Sequence, residues 1–63
     1  MFLVRLHSGS AISALCREAA AALARELLRV EEGEALCWVR NRLIVTNRLG
    51  NMTDRWAELR EVS

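Results

Sequence analysis

The run from Ala11 to Glu32 constrains the fold more than any other part of this chain. It consists mainly of alanine, leucine, arginine and glutamate, which are strong helix formers. Ser10 can serve as an N-cap before it, and Gly33 can end it. At ~100° per residue, the apolar side chains fall on one broad stripe. We therefore predict a long helix over residues 11–32 whose core face carries Ile12, Leu15, Cys16, Ala19, Ala20, Leu23, Leu27 and Val30.

The opposite side of this predicted helix is unusually smooth. Ala14, Ala21 and Leu28 recur there every seven residues, with Arg17 beside them. One interpretation is that alanine is simply the best helix former and that Leu28 is an exposed leucine. The other is a second docking stripe, formed by Ala14, Arg17, Ala21 and Leu28, on which another protein surface packs closely.

Three short segments have the pattern of strands. "MFLVRLH" alternates Phe2, Val4 and Leu6 with other side chains, which is the period of a strand with one buried face. The runs "EALCWVR" and "RLIVTNR" predict a hairpin that turns at Asn41–Arg42. In that register Trp38 pairs with Val45, Leu36 with Asn47 and Arg40 with Leu43. Asn-Arg lacks the glycine of the strongest hairpin turns, so the register can slip by a residue.

Residues 52–63 have two interpretations. Met52, Trp56 and Leu59 share one face at helical spacing and Thr53 can act as a cap, which favours a short C-terminal helix. The alternative is a fourth strand that pairs back onto the preceding one through a turn at Gly50–Asn51. We prefer the helix.

Together these elements predict a single α+β domain over residues 1–63, a two-layer β-α-β-β-α arrangement. The long helix covers one face of a three-stranded antiparallel sheet, and the other face is poorly covered. A chain of 63 residues buries only ~60% of the surface that its unfolded form exposes. We therefore expect it to associate, as a homodimer or with a partner.

Charge and cysteine content exclude several classes of protein. The formal net charge is only +1, unlike the strongly basic balance of a dedicated nucleic-acid binder. Cys16 and Cys37 are too few for a disulfide framework and have no metal-site spacing. We expect them to be buried free thiols in a reducing cytoplasm. No segment approaches the ~20 apolar residues of a membrane span.

Candidate catalytic residues are sparse. His7-Ser8-Gly9-Ser10 is the one place where a histidine, hydroxyls and a glycine meet, and a helix N-terminus there could hold an anion. Ordinary helix capping explains the same residues more simply. No other residue pattern suggests an activated nucleophile or a cofactor site. We predict a non-enzymatic protein that has no cofactor and no metal.

The most informative candidate site is the stretch "CWVRNRLIVTNRLGN", the only basic part of the chain. Arg40, Arg42 and Arg48 could contact phosphates while Trp38 stacks on a base. Alternatively, Arg40 and Arg42 are solubilising charges at a hairpin tip and Trp38 belongs to the core. We favour a third interpretation, in which the three arginines form the rim of a protein-binding sheet face centred on Trp38, since interfaces are enriched in Trp and Arg. The apolar residues of that face would be Leu36, Trp38, Leu43 and Val45.

The asparagines of this stretch have a separate explanation. Asn41 and Asn51 fall where the chain must reverse, which is typical of turn residues. Asn47 has no evident role in the sequence pattern.

The resulting functional hypothesis is a small binding protein that covers a surface of a larger protein or ribonucleoprotein. Small phage-encoded inhibitors of host defence, anti-CRISPR proteins among them, are of this size and class, although no residue of the chain identifies it as one. The alternative is a weak nucleic-acid binder or small regulator that uses Arg40, Arg42 and Arg48.

Overall fold

The computed structural model describes residues 1–62, so Ser63, the last residue of the predicted C-terminal segment, lies outside it. One helix, α1, packs on one face of a five-stranded sheet in which all neighbouring strands are antiparallel, in the order β2-β1-β5-β4-β3. The prediction of three strands and a long helix is therefore wrong. The elements are β1 (Phe2–Leu6), β2 (Ala11–Ala14), α1 (Arg17–Leu28), β3 (Ala35–Val39), β4 (Arg42–Thr46) and β5 (Met52–Glu61).

The first correction concerns residues 11–14, which form strand β2 instead of the first turn of the helix. The chain reverses after β1 because Gly9 takes a left-handed conformation (φ 100°), and the amide of Leu6 donates to the carbonyl oxygen of Ser10 at 2.8 Å. Val4 then pairs with Ile12. The sequence Ala-Ile-Ser-Ala fits the period of a strand as well as that of a helix, and pairing with β1 outweighs its local helix propensity.

The helix α1 is therefore shorter than predicted, and a different set of its side chains faces the sheet. Cys16, in an extended conformation, precedes it in place of Ser10, and the chain leaves it through Arg29 with φ 51°. The buried line consists of Ala20, Ala24 and Leu28, spaced four residues apart. Leu15, predicted to face the core, is 87% exposed because it precedes the helix. Cys16, Ala19, Leu27 and Val30 are likewise exposed and Ile12, which lies in β2, is exposed too.

The core lies between α1 and the sheet and is made largely of small side chains. Four of its nine buried residues are alanines, two from the helix and two from the sheet. Small side chains let the helix axis lie close to the strands, and the larger side chains fill the remaining space. The buried residues are Val4, Ala14, Ala20, Ala24, Leu28, Leu43, Val45, Ala57 and Leu59.

The predicted β3–β4 hairpin exists, but its turn lies one residue earlier, at Arg40–Asn41. Trp38 pairs with Leu43 and Leu36 with Val45, and Arg40 adopts a positive φ of 56°. A one-residue shift of the turn moves each partner by two positions, so these four residues remain on one face. That face is the one covered by α1, since Leu43 and Val45 are in the core.

The preferred helix at the C-terminus is also wrong, and the alternative of a strand is correct. β5 is the central strand, pairing with β1 on one side and β4 on the other. The side-chain oxygen of Asn47 accepts from the amides of Leu49 and Asn51, at 3.0 Å each, which builds the turn into β5 and explains this asparagine. Thr53 then donates from its hydroxyl to the carbonyl oxygen of Val45 at 2.8 Å, beside an irregularity in the pairing of β4 with β5.

Candidate functional site

The sheet face opposite α1 is not covered by any element of residues 1–62. Directly paired residues of antiparallel strands project from the same face, so the pairing register shows which side chains lie there. We call this surface the open face. Its central residues are Leu3, Arg5, Cys37, Val39, Arg42, Ile44, Trp56, Glu58 and Arg60.

A row of charges crosses the open face on three neighbouring strands. Arg5 and Arg42 are both paired in register with Glu58. An Nη atom of Arg5 lies 3.2 Å from one carboxylate oxygen of Glu58, and Nε of Arg42 lies 3.8 Å from the other. One carboxylate therefore forms ion pairs with two guanidinium groups, and the three side chains together carry a net charge of +1.

An aromatic and apolar row lies beside the charges. Trp56 pairs with Ile44, and Ile44 pairs with Cys37. The guanidinium carbon of Arg42 lies 4.4 Å from the centre of the Trp56 ring, within the range of a cation–π contact. The ring of His7 lies 6.5 Å from the Trp56 ring. The Arg42 side chain is thus held by both Glu58 and Trp56.

Strand β3 forms one edge of the sheet, and its composition differs from that of the charged open face. Its sequence, Ala-Leu-Cys-Trp-Val, contains no charged residue. Leu36 and Trp38 project toward the helix side, whereas Cys37 and Val39 project from the open face. Trp38 is 38% exposed and Val39 is 40% exposed. The guanidinium carbon of Arg17 lies 5.5 Å from the centre of the Trp38 ring.

Arg55 fixes the segment that leads into β3. Its guanidinium donates to both carboxylate oxygens of Glu34, at 3.0 and 2.9 Å, and to the backbone carbonyls of Leu28 and Arg29. The Glu34 carboxylate also accepts from the amide of Glu31 at 2.9 Å. The hydrogen bond from the Glu31 amide is the largest cause that lowers the pKa of Glu34 below its usual value, and the hydrogen bond from Arg55 is the second.

The residues proposed from the sequence as a binding site are dispersed. Arg42 lies on the open face, whereas Leu36 and Trp38 lie on the helix side and Leu43 is buried in the core. Arg40 is in the β3–β4 turn, and the side chain of Arg48 lies against Gly33 at the other end of that hairpin. The three arginines therefore do not form one cluster.

The residues of the proposed docking stripe also lie apart. Ala14 belongs to β2 and is buried, and Leu28 is buried at the end of α1. Ala21 is half-buried against the core, and Arg17 contacts Trp38. These four residues do not line an exposed side of the helix.

Several residues of the open face were not identified from the sequence. The helix predicted for residues 52–63 does not place Trp56 and Glu58 on a shared surface. In a strand, their alternation with Ala57 and Leu59 puts both on one face. The two cysteines were expected to be buried, but Cys16 and Cys37 are free and exposed.

The helix found in residues 1–62 is too short and too polar to cross a membrane. The same residues contain no grouping of three or more side chains of the kinds that bind metals, and no enclosed pocket. Comparison of the chain with known protein families, with characterised proteins and with solved structures gave no match.

Proposed function

We propose that this chain is a non-enzymatic protein-binding module that uses the open face of its sheet. The observation that carries the proposal is the pair formed by Arg42 and Trp56, stacked at 4.4 Å beside the apolar side chains of Ile44 and Cys37. Tryptophan and arginine are the residue types most enriched at the energetic centres of protein interfaces.

The open face is also partly preorganised. Arg42 is held by Glu58 and by the Trp56 ring, so this long side chain has less conformational freedom to lose when a partner binds. The surplus positive charge favours a partner surface that combines an apolar patch with an acidic group. The proposed partner is a larger protein or ribonucleoprotein whose surface this chain covers. Phage-encoded inhibitors such as anti-CRISPR proteins act in this way, and this part of the proposal is supported by size and class alone.

Direct nucleic-acid binding is the second candidate, because arginines and a tryptophan on one sheet face are also the elements of single-strand binding surfaces. Arg5, Arg42 and Arg60 would be the phosphate contacts. Glu58 disfavours this function, since it engages two of these arginines and would repel a phosphate backbone. Three arginines would give a salt slope of about −2 to −3 at most.

Photo-crosslinking in the cell that encodes the chain tests the proposal. A chain with Ile44→p-benzoylphenylalanine carries the probe on the open face, and one with Ala22→p-benzoylphenylalanine carries it on the exposed side of α1. We expect one discrete protein adduct from position 44 and none from position 22. The additional change Arg42→Glu should abolish the adduct, whereas Arg25→Glu on the helix should preserve it.

Two outcomes would contradict protein binding by the open face. Adducts of equal yield from positions 22 and 44 would show that the probe reports collisions. A nucleic-acid adduct from position 44, accompanied by micromolar, salt-sensitive binding of oligonucleotides, would favour the second candidate, since non-specific binders reach ~10⁻⁴ to 10⁻⁶ M.

A further inference from the structure

Strand β3 is an edge strand with the composition of an interior one. Natural edge strands are usually protected by charged residues, proline, bulges or short length, yet β3 has five uncharged residues and apolar side chains on both faces. A continuous apolar run is typical of a strand covered from both sides. We propose that β3 pairs antiparallel with β3 of a second copy, which joins two sheets into one of ten strands.

The backbone of β3 is oriented for such pairing. The carbonyl oxygen of Asn41 accepts from the amide of Leu59 at 2.8 Å. The backbone N–H and C=O groups of Asn41 therefore point toward β5, and those of the next residue, Arg42, point toward β3. Because this direction alternates along a strand, the register places the odd-numbered residues of β3 in bonds to β4. The N–H and C=O groups of Leu36 and Trp38 therefore point outward from the sheet edge.

These outward groups favour one register between the two copies. In this register Leu36 of each copy pairs with Trp38 of the other. The two residue pairs use two donors and two acceptors from each chain. The two-fold axis then passes beside Cys37, and all five residues of β3 are paired. In the same register Glu34, just before the strand, lies opposite Arg40, just after it, in the second copy. Opposite charges thus face each other at both ends of the interface, where Arg40 would join the carboxylate that Arg55 of the same chain already binds.

The side chains are compatible with this arrangement. On the helix side, Trp38 of one copy would cover Leu36 of the other, and on the open face Val39 would lie beside Ala35. Pairing of identical edges is isologous and closes after two copies, whereas pairing of β3 with the opposite edge, β2, would continue into a filament. A single strand pair buries less than the ~1,200 Å² of a standard interface, so we expect a weak dimer with a Kd of about 10⁻⁶ to 10⁻⁴ M.

Disulfide trapping tests the register directly, because the chain supplies its own control. Two Cys37 residues across the axis would form a non-hydrogen-bonded pair with Cα atoms about 4.5 Å apart, within the roughly 4.4–6.8 Å that a disulfide spans. Cys16 is also free and exposed but lies between β2 and α1, outside the strand that would form the interface. Diamide oxidises two thiols to one disulfide and takes up their two electrons and two protons as the hydrazine.

At equal concentration, we expect Cys16→Ser, which retains Cys37, to form the covalent dimer at least about tenfold faster than Cys37→Ser, which retains Cys16. Equal rates for the two variants would overturn the proposed register.

Sedimentation velocity supplies a second measurement that needs no oxidation. Cys37→Glu would place two like charges opposite each other at the axis on a side chain that is exposed in the single chain. We expect the dimer Kd to rise at least about tenfold for Cys37→Glu and to remain unchanged for Cys37→Ser, with identical far-UV circular dichroism. A wild-type chain that remains monomeric to about 1 mM, or that forms species larger than dimers, would overturn the proposal. Mass is measured without any other partner, so this result is independent of the photo-crosslinking outcome.

Discussion

Arg55 joins three parts of the fold, and we predict that Arg55→Lys destabilises the protein markedly. The guanidinium group binds the Glu34 carboxylate through two hydrogen bonds and also donates to the carbonyl oxygens of Leu28 and Arg29 at the end of α1. Lysine keeps the charge but presents one compact ammonium group instead of a planar fork. Its three N–H donors cannot replace the four hydrogen bonds that Arg55 makes, two to the carboxylate and two to the helix carbonyls.

The magnitude follows from the bonds to the helix carbonyls. A hydrogen bond that involves a charged group contributes about 1.5–3 kcal/mol, and two such bonds are lost or weakened. The Arg55 side chain is 30% exposed, so water replaces part of the loss, and we expect a net cost of about 2 kcal/mol. A chain of this length has a total stability of about 3–9 kcal/mol. At roughly 4–8 °C per kcal/mol, the Tm should fall by about 8–16 °C.

Thermal unfolding followed by far-UV circular dichroism at neutral pH measures this change. Arg60→Lys is the matched control, because Arg60 belongs to the same strand but is exposed on the open face. Exposed substitutions of this kind usually stay within about 0.5 kcal/mol, so its Tm should move by less than about 4 °C. Equal Tm values for the two variants would refute the argument that Arg55 holds the helix end to the sheet.

Two further predictions concern the same end of the molecule. The pKa of Glu34 is held below its usual value of 4.5, so its ionised form favours the folded state; this contribution is present above pH 4.5 and is lost as the pH falls through the lowered pKa. Urea unfolding at a series of pH values should show this loss in the wild type and a smaller one in Glu34→Gln, and parallel curves would contradict it. Gly33→Ala should destabilise more than Gly50→Ala. Both glycines have positive φ, 86° and 83°, which costs alanine about 1–2 kcal/mol, but only at Gly33 would the new Cβ collide with the side chain of Arg48. Equal urea midpoints for the two alanine variants would show that the Arg48 side chain moves aside freely.

The sequence predicted the hairpin of β3 and β4 and the strand character of β1, because these segments have turn residues and apolar patterns that favour one structure. The prediction is wrong for residues 11–14 because Ile12 and Ala14 suit a helix and a strand equally. What decides between them is pairing with β1, a contact that does not show in local propensity. The helix then begins later and buries Ala24, which the predicted stripe did not include.

The binding surface was less predictable than the fold. The sequence pattern around Arg42 predicts a site there, but the residues that Arg42 contacts, Glu58 and Trp56, come from β5, for which the pattern favours a helix. The assignment of Trp38 and Leu43 to an uncovered face failed for a different reason. Periodicity shows that two residues share a face, but which face the helix covers depends on how all the elements are connected.

The position of β5 has a consequence for how the chain reaches its fold. The β1–β2 and β3–β4 hairpins are local units, but within the sheet they are joined only by β5, which follows both of them in the sequence. Phe2, for instance, pairs with Glu61, so closing the sheet brings together nearly the two ends of the described chain. Contacts so distant in sequence slow folding. During synthesis both hairpins, and the exposed edges of β1 and β4 that β5 will occupy, must wait until residues 52–61 have been made.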